Sequence, residues 1–270
     1  MAFVDAYPSG RIPVLAPIYF DSEGWPRLES NQSFEIPNPY PSTPVPVASS
    51  LNRLDIFPAN RSLNPQWEWN HNPVNSAWSI SPEDGLILNT ATVTTDFFHA
   101  QNTLTHRIAG PNSSAIIELD VSAMAPGDRA GLALFRDQMA YIAYEDGVLT
   151  LYRNLTLDAN WDTLPTEYAE ESVRVPEDDG CDGSGSSVWF RLDANTAPAS
   201  DQLGTFWYSF DGEEFERLGS PYEMFDNFFF FPGYRWGIFN FATEALGGSV
   251  KVKSFEQIVP SLASDGAGGE

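Results

Sequence analysis

Cysteine and basic residues are both scarce in this chain. Its 270 residues include a single cysteine, Cys181, so no intramolecular disulfide can form. Cys181 lies in a polar run rich in Asp and Gly with no histidine nearby, and we interpret it as an exposed loop thiol. Lys and Arg number 14 against 37 Asp and Glu, which gives a net charge of −23. Such a surface repels phosphate backbones and anionic lipids, so we expect neither nucleic acid nor membrane partners, whereas neutral sugars are compatible.

Targeting and metal-binding signals are also lacking. The N-terminus has no basic segment and no apolar run typical of a signal peptide, and no stretch approaches the length of a membrane span. The localisation is therefore left open. The three histidines, His71, His99 and His106, do not have the spacing of a metal site.

Aromatic residues, by contrast, are abundant and make up 14% of the chain. Trp67, Trp69 and His71 alternate with other residues and would share one face of a strand. A row of indoles forms either a platform for sugar rings or part of a core, and both interpretations stay open here.

Composition divides the chain into four parts. Residues 1–28 are predicted to hold two short strands, Phe3–Ala6 and Val14–Phe20, separated by turn residues. Residues 29–50 form a proline-rich linker, and residues 51–259 form one large unit. The tail, residues 260–270, is rich in Ser, Ala, Gly and Asp and is expected to be disordered.

The large unit is predicted to be all-β. Apolar runs recur between turn signals, and no stretch has a helical period. The spacing favours a two-sheet antiparallel jelly-roll sandwich of the concanavalin A-like type. The acidic stretch from Glu167 to Asp182 is interpreted as a solvated loop. The runs predicted as strands are Gly85–Asn89, Ala115–Val121, Ala130–Phe135, Ala140–Tyr144, Val148–Arg153, Val188–Asp193, Thr205–Phe210, Arg235–Phe241 and Ser249–Gln257.

Four motifs occur along this unit in a fixed order: Trp67–Trp78, Gln101–Arg107, Gly127–Ala133 and Arg235–Asn240. In this order they resemble the C-terminal sandwich of family 43 glycoside hydrolases, the β-xylosidases and α-arabinofuranosidases. The resemblance covers roughly residues 50–258 and implies a concanavalin-like sandwich of a class associated with xylan binding. Residues 2–17 and 21–26 look like the closing strands of that family's catalytic propeller.

The resemblance does not extend to the catalytic blades. Glycoside hydrolysis by inversion needs two carboxylates around the scissile bond. In the family these come from earlier blades, and no position here matches their motifs; Asp5 and Asp21 have no assigned role. We therefore expect a carbohydrate-binding, accessory sandwich in xylan or arabinoxylan metabolism that is not catalytic alone and has a catalytic propeller as a further partner. One alternative is a glycosidase fragment that hydrolyses O-glycosyl bonds, and another is a redeployed sandwich that binds an apolar ligand.

The ligand site is predicted from the chemistry that a sugar requires. An aromatic face contacts the C–H side of the ring, and fixed polar groups bind its hydroxyls. For the arginines, a structural ion pair is an equally open interpretation. The predicted ligand-facing set is Trp69, His71, Asn102, Arg107, Arg129 and Trp207.

Two further features carry expectations. The run Phe228–Tyr234 contains five aromatic residues, and a strand would bury only alternate members. The resemblance implies that a loop here faces the propeller and walls its pocket, with Phe229, Phe231 and Tyr234 as candidates; a fully buried strand is the alternative. Glu256 resembles a position where related sandwiches hold calcium, and no other cofactor is expected.

Overall fold

The computed structural model describes residues 2–14, 18–28, 53–58, 62–176, 186–198, 200–228 and 230–260. Within these residues the regular structure consists of strands and two short 3-10 helices, Asn75–Ala77 and Phe97–His99. The all-β prediction is therefore confirmed. Cys181, Phe229, the predicted linker and nearly all of the predicted tail lie outside the described residues.

Twenty strands follow one another along the described chain. They are β1 (Ala2–Asp5), β2 (Arg11–Val14), β3 (Ile18–Phe20), β4 (Pro26–Leu28), β5 (Arg53–Asp55), β6 (Trp67–Trp69), β7 (Trp78–Ser81), β8 (Gly85–Asn89), β9 (Leu104–Arg107), β10 (Asn112–Asp120), β11 (Asp128–Phe135), β12 (Gln138–Glu145), β13 (Val148–Leu157), β14 (Thr163–Leu164), β15 (Tyr168–Arg174), β16 (Ser187–Asn195), β17 (Leu203–Ser209), β18 (Glu216–Glu223), β19 (Arg235–Ala242) and β20 (Ser249–Ile258).

Two large antiparallel sheets pack face to face. The first sheet has the order β18-β17-β16-β10-β20-β8-β7, with β5 also paired to β20. The second sheet has the order β14-β13-β12-β11-β19-β9-β6, with β15 also paired to β13. Each sheet combines hairpin-connected strands with neighbours that are distant in sequence, such as β10 beside β20 and β11 beside β19, as expected for a jelly-roll sandwich. Two separate hairpins, β1–β2 and β3–β4, precede the sandwich.

The main core lies between the two sheets and follows the period-2 pattern of the strands. In β16, Val188, Phe190, Leu192 and Ala194 are buried, while the residues between them are only partly buried. Facing strands of the second sheet contribute Leu132 and Trp236, among others. Burying each large side chain of this kind contributes about 1.5–3 kcal/mol, so the alternation fixes which face of each strand points inward.

The second sheet is buried on both of its faces near its centre. A second cluster on its outer face contains Phe97, Tyr141 and Phe239, with the 3-10 helix Phe97–His99 packed over it. Strand β12 is accordingly buried on both sides and has an almost unbroken apolar sequence rather than an alternating one.

Most of the predicted strands are observed within one to four residues at each end, and the turn Glu145-Asp146-Gly147 joins β12 to β13. Asp146 and Gly147 both have positive φ, as a type I′ hairpin turn requires. Two predictions were wrong. The stretch from Glu167 contains β15, which pairs along β13 and leaves its acidic side chains at the surface. The N-terminal segment holds four short strands, not two, since Pro8–Gly10 and Asp21–Gly24 each form a turn.

Candidate functional site

The turn of the β1–β2 hairpin is attached to the sandwich by hydrogen bonds. Residues 7 and 8 in this turn are buried, although the flanking strands are largely exposed. The Tyr234 amide donates to the Pro8 carbonyl at 3.1 Å. The Ser9 hydroxyl donates to the Thr196 carbonyl at 2.9 Å. These bonds join the hairpin to the β16–β17 loop and to the β18–β19 loop, so it is docked on the sandwich.

Two glycines allow the hairpin to approach this closely. Gly10 has a φ of +86°, and a Cβ placed there would overlap the backbone of Gly233. A Cβ on Gly233 would in turn overlap the Ser9 carbonyl. Any side chain at either position therefore requires the two backbones to separate.

Arg136 anchors the loop between β18 and β19 from the interior of the protein. Its side chain is fully buried, and its guanidinium donates to the carbonyls of Phe225, Asn227 at 2.7 Å and Phe230 at 2.8 Å. The guanidinium also forms an ion pair with Asp137 at 3.0 Å. A planar donor with five N–H groups is suited to holding several carbonyls at once. The loop backbone is therefore fixed by one charged group.

Tyr234 anchors the same loop from its C-terminal end. Its hydroxyl donates to the Gln138 carbonyl at 2.7 Å and accepts from the Phe225 amide at 3.0 Å. Burial raises the pKa of Tyr234 to about 12, so the phenol keeps its proton. The Arg136 guanidinium lies 5.4 Å from the Tyr7 ring centroid and 5.5 Å from that of Tyr234, which links the hairpin and the loop through one cation.

Exposed apolar side chains flank these anchors on both the hairpin and the loop. On the hairpin, the register places Phe3 on one face and Val4 and Ile12 on the other. Arg11 lies over the Phe3 ring at 4.5 Å and near the Phe231 ring at 5.6 Å, so the hairpin and the loop meet there. Phe228 is 72% exposed and Phe231 59% exposed. We call this the apolar surface, and its exposed members are Phe3, Val4, Ile12, Phe225, Phe228 and Phe231.

The β3–β4 hairpin carries a second group of exposed apolar side chains, namely Ile18, Tyr19, Phe20, Trp25 and Leu28. Asp21 closes this hairpin by accepting hydrogen bonds from the Trp25 amide at 2.9 Å and from Arg27. The Trp25 hydrogen bond is the main cause that lowers the pKa of Asp21. Asp5 pairs with Arg11 in the same way. Asp5 and Asp21 therefore both have structural partners.

The outer face of the second sheet holds a separate polar network beside its aromatic cluster. Arg129 pairs with Glu145 at 2.8 Å and lies 4.4 Å from the Tyr152 ring centroid. Arg129 also donates to the Tyr141 hydroxyl at 3.2 Å, which in turn donates to Glu167 at 2.5 Å. Burial raises the pKa values of both Glu167 and Tyr141. Every charged member of this network has a partner inside it.

The 3-10 helix Phe97–His99 covers this face. The Phe97 ring lies 4.2 Å from that of Phe239 and 4.9 Å, edge-on, from that of Tyr141. Asp96 caps the helix by accepting from the Phe98 amide, and it also accepts from Thr163 at 2.6 Å. The outer face is thus closed by an aromatic side chain tied to β14.

Three of the six predicted ligand residues, Trp69, His71 and Asn102, lie between the end of β6 and the start of β9, and of these His71 contacts the helix. Trp69 packs against the main core, with its ring 5.2 Å from that of Trp78. His71 is exposed and its Nε2 is 2.8 Å from the Phe98 carbonyl. Asn102 is buried, and its amide bonds both the amide and the carbonyl of Val74. The polar groups of Asn102 are thus engaged by backbone.

The other three residues lie apart. Arg107 is exposed at the end of β9, opposite Arg235, and Arg129 belongs to the buried network described above. Trp207 lies on the outer face of the first sheet, on the opposite side of the molecule from that network. The structure therefore does not bring the six residues into one site; their roles in binding stay predictions.

The predicted residues of the loop between β18 and β19 do not all face the same way. Phe231 belongs to the apolar surface, whereas Tyr234 is buried and supports the loop from inside. The residues that matter most for this loop, Arg136 and Gly10, were not predicted. Arg136 and Asp137 form the short turn between β11 and β12, and a charged pair in a turn is normally solvent-exposed. Only the distant chain segments that cover the turn make it buried.

The expected calcium position, at Glu256, stays a prediction. Glu256 is on the outer face of β20, opposite Leu54 and Ile116. No group of three or more His, Cys, Asp or Glu side chains in the described part of the chain is arranged to hold a metal, and calcium needs six or more oxygens. Among the described residues there is also no helix long and apolar enough to cross a membrane.

Comparisons with known proteins identify relatives over most of this length. The family model of the β-xylosidase C-terminal concanavalin A-like domain matches residues 55–257. A β-xylosidase from Formosa agariphila is 28% identical over 275 residues, covering 91% of this chain and 42% of that protein. A solved GH43 glycoside hydrolase, engineered to display both endo-xylanase and exo-arabinofuranosidase activity, is 38% identical with a TM-score of 0.84.

That structure matches 95% of this chain and 51% of its own chain. A GH43 protein from Bacillus licheniformis shares the fold at 20% identity, with a TM-score of 0.70, over 92% of this chain and 47% of its own. The chain thus spans about half or less of the length of these relatives.

Proposed function

This chain belongs to the β-xylosidase C-terminal concanavalin A-like domain family of GH43 glycoside hydrolases, and from that premise we propose that it is the accessory β-sandwich of such an enzyme. In this role it packs against a catalytic propeller and takes part in the recognition of xylan or arabinoxylan. We also propose the division into closing propeller strands (1–28), linker (29–50), sandwich (51–259) and tail (260–270).

The apolar surface is the observation that carries this proposal. Six large apolar side chains are exposed on the hairpin and the adjoining loop, and Arg11 bridges Phe3 of the hairpin to Phe231 of the loop. Clusters of exposed apolar side chains are typical of protein–protein contact sites. Arg136 and Tyr234 hold the loop in one conformation, so binding a partner there loses little conformational freedom. The exposed side chains of the β3–β4 hairpin add to the area that a partner domain would cover.

The partner and the ligand class follow from the relatives. The GH43 relatives are about twice as long as this chain, and the resemblance places a propeller before the sandwich. Phe228 and Phe231 are the most exposed apolar side chains among the described residues of the loop, and we propose that they contact the propeller and wall its substrate pocket. A neutral xylan backbone is compatible with the net charge of −23, whereas a polyanion would be repelled.

Titration with a separate propeller tests this function. We would measure binding of this chain to the propeller half of the 38% identical GH43 enzyme by sedimentation velocity and calorimetry. The expected result is a one-to-one complex with a negative heat-capacity change, since apolar area is buried. A double variant, Phe228→Asp with Phe231→Asp, should abolish the complex because it buries two charges without partners.

A matched variant controls for surface charge. Leu246→Asp alters an exposed apolar residue that lies away from the hairpin and loop. It should bind the propeller as well as the parent chain does. Equal binding by the double variant would refute the proposed interface.

A further inference from the structure

The outer face of the first sheet carries an ordered row of polar and aromatic side chains. Since the intervening residues of β16 point into the core, its remaining residues point outward. Two residues of the neighbouring strand β17 face the same side, and register places Trp207 opposite Arg191 and Thr205 opposite Asp193. The outward residues are Trp189, Arg191, Asp193, Asn195, Thr205 and Trp207.

Trp207 is fixed in orientation within this row. Its Nε1 donates to the Thr205 hydroxyl at 3.2 Å, and the Arg191 guanidinium lies 5.8 Å from its ring centroid. The side chain is only partly buried, although its strand is paired on both sides. A ring held in place at a partly open position can stack on a ligand without first losing rotational freedom.

Arg191 and Asp193 supply a paired donor and acceptor beside that ring. Their side chains meet at 2.9 and 3.2 Å, and the Ser114 hydroxyl donates to Asp193 at 2.5 Å. The two side chains remain 38% and 28% exposed. Because the pair is neutral overall and held rigidly, it suits vicinal hydroxyls better than it suits a charged group.

A surface groove of about 240 Å³ continues from this pair along the sheet. It is smaller than the clefts of roughly 300–1,000 Å³ that enclose whole drug-sized ligands. It therefore suits one unit of a longer chain that lies across the face. Its lining includes Asn112, Ser114, Asp193, Asn195, Leu203 and Thr205.

From this arrangement we infer that the row from Trp207 to Asn195 is a binding site for a neutral polysaccharide chain of the xylan class. The inference rests on the proposed function and gives the xylan contact a location, remote from the apolar surface. Trp207 contacts the face of one sugar ring, and the Arg191–Asp193 pair binds hydroxyls of that ring or the next. Asn112 supplies an amide group further along the groove, where the Asn195 amide is held in place by Asp201 and by the Ala197 amide.

Calorimetry on the whole chain tests this site with xylohexaose as the probe. Trp207→Ala should weaken binding about tenfold, since truncating a central aromatic contact has effects of this size. Asp193→Asn keeps the shape of the side chain and removes the charge, and it should also weaken binding. Trp161→Ala, at an exposed tryptophan outside this face, is the matched control and should bind like the parent. Urea midpoints establish that each variant is folded.

The outcomes separate this site from the proposed function. If Trp207→Ala and Asp193→Asn both bind xylohexaose as the parent does, the proposed site is wrong. Xylan would then bind elsewhere on the sandwich, and the proposed function would stand. Absence of xylohexaose binding by the parent would also overturn it, yet would leave the propeller interface, which is measured separately, intact. Tighter binding of polygalacturonate than of xylohexaose would contradict the neutral ligand class. If Trp207→Ala does not fold, Asp193→Asn decides the question.

Discussion

Replacing Arg136 by methionine should destabilise this protein more than any exposed substitution. Methionine retains the apolar stem but removes the guanidinium, so three loop carbonyls and Asp137 lose their partner. Hydrogen bonds from a charged donor contribute about 1.5–3 kcal/mol each, and these contributions are not additive. Removing one member of a buried ion pair typically costs about 3–5 kcal/mol, and we expect a loss of this size for Arg136→Met.

The pH dependence of this loss identifies its cause. Burial already raises the pKa of Asp137, and Arg136 is the main influence that lowers it. Without Arg136 the folded-state pKa rises further above 3.8, so the folded chain binds more protons than the unfolded chain at mildly acidic pH. The destabilisation should therefore be larger at pH 7 than at pH 4.5.

Urea unfolding followed by tryptophan fluorescence measures both effects. Arg217→Met, on the exposed side of β18, is the control and should change the free energy of unfolding by less than about 0.5 kcal/mol. The double variant Arg136→Met with Asp137→Asn should recover part of the loss, because no buried charge is left unpaired. A loss below about 1 kcal/mol for Arg136→Met, or one that does not vary with pH, would refute this account of the loop anchor.

Three further predictions concern other parts of the molecule. Phe97→Ala should lower the free energy of unfolding by about 3–5 kcal/mol, measured in urea, because it leaves a cavity over the outer face of the second sheet. Gly10→Ala should release the β1–β2 hairpin, seen as faster hydrogen exchange in residues 2–14 with that of β10 and β16 unchanged; equal protection would contradict the close backbone approach. Burial lowers the pKa of His106 below 6.5, and its Nε2, which lies between Trp67 and Phe255, has no hydrogen-bond partner among the residues that the structure describes. The stability contributed by the neutral His106 ring is therefore complete above pH 6.5 and is lost as the pH falls through the folded-state pKa. His106→Asn should remove this part of the pH dependence of the urea midpoint.

The long strands of the sandwich could be predicted from sequence because their alternation and turn residues are local signals. Strand β8 was predicted with both of its ends correct, and the dipeptide Asp146-Gly147 marked the hairpin turn between β12 and β13. Strand β15 was missed because its sequence is acidic, and a strand at a sheet edge with little burial needs no apolar pattern. Strand β18 was not predicted because it contains Pro221 and several charged residues, which are uncommon inside strands.

The candidate sites were harder to predict, because their burial is set by distant segments. Asn102 looked like a ligand group, but it binds the backbone of Val74, 28 residues earlier. Arg136 looked like an exposed turn residue, but the loop about 90 residues later covers it. Trp69 was left open between platform and core, and the structure places it against the core. Patterns within one strand do not contain these long-range contacts.

The central claim is that the hairpin and aromatic loop form an interface with a catalytic propeller. The direct measurement is calorimetry of a chimera in which this chain replaces the half of the 38% identical GH43 enzyme that it matches. If the account is right, the chimera unfolds in one cooperative transition, and Phe228→Asp with Phe231→Asp splits it into two. Two independent transitions in the parent chimera, or one transition that the double variant does not alter, would contradict it.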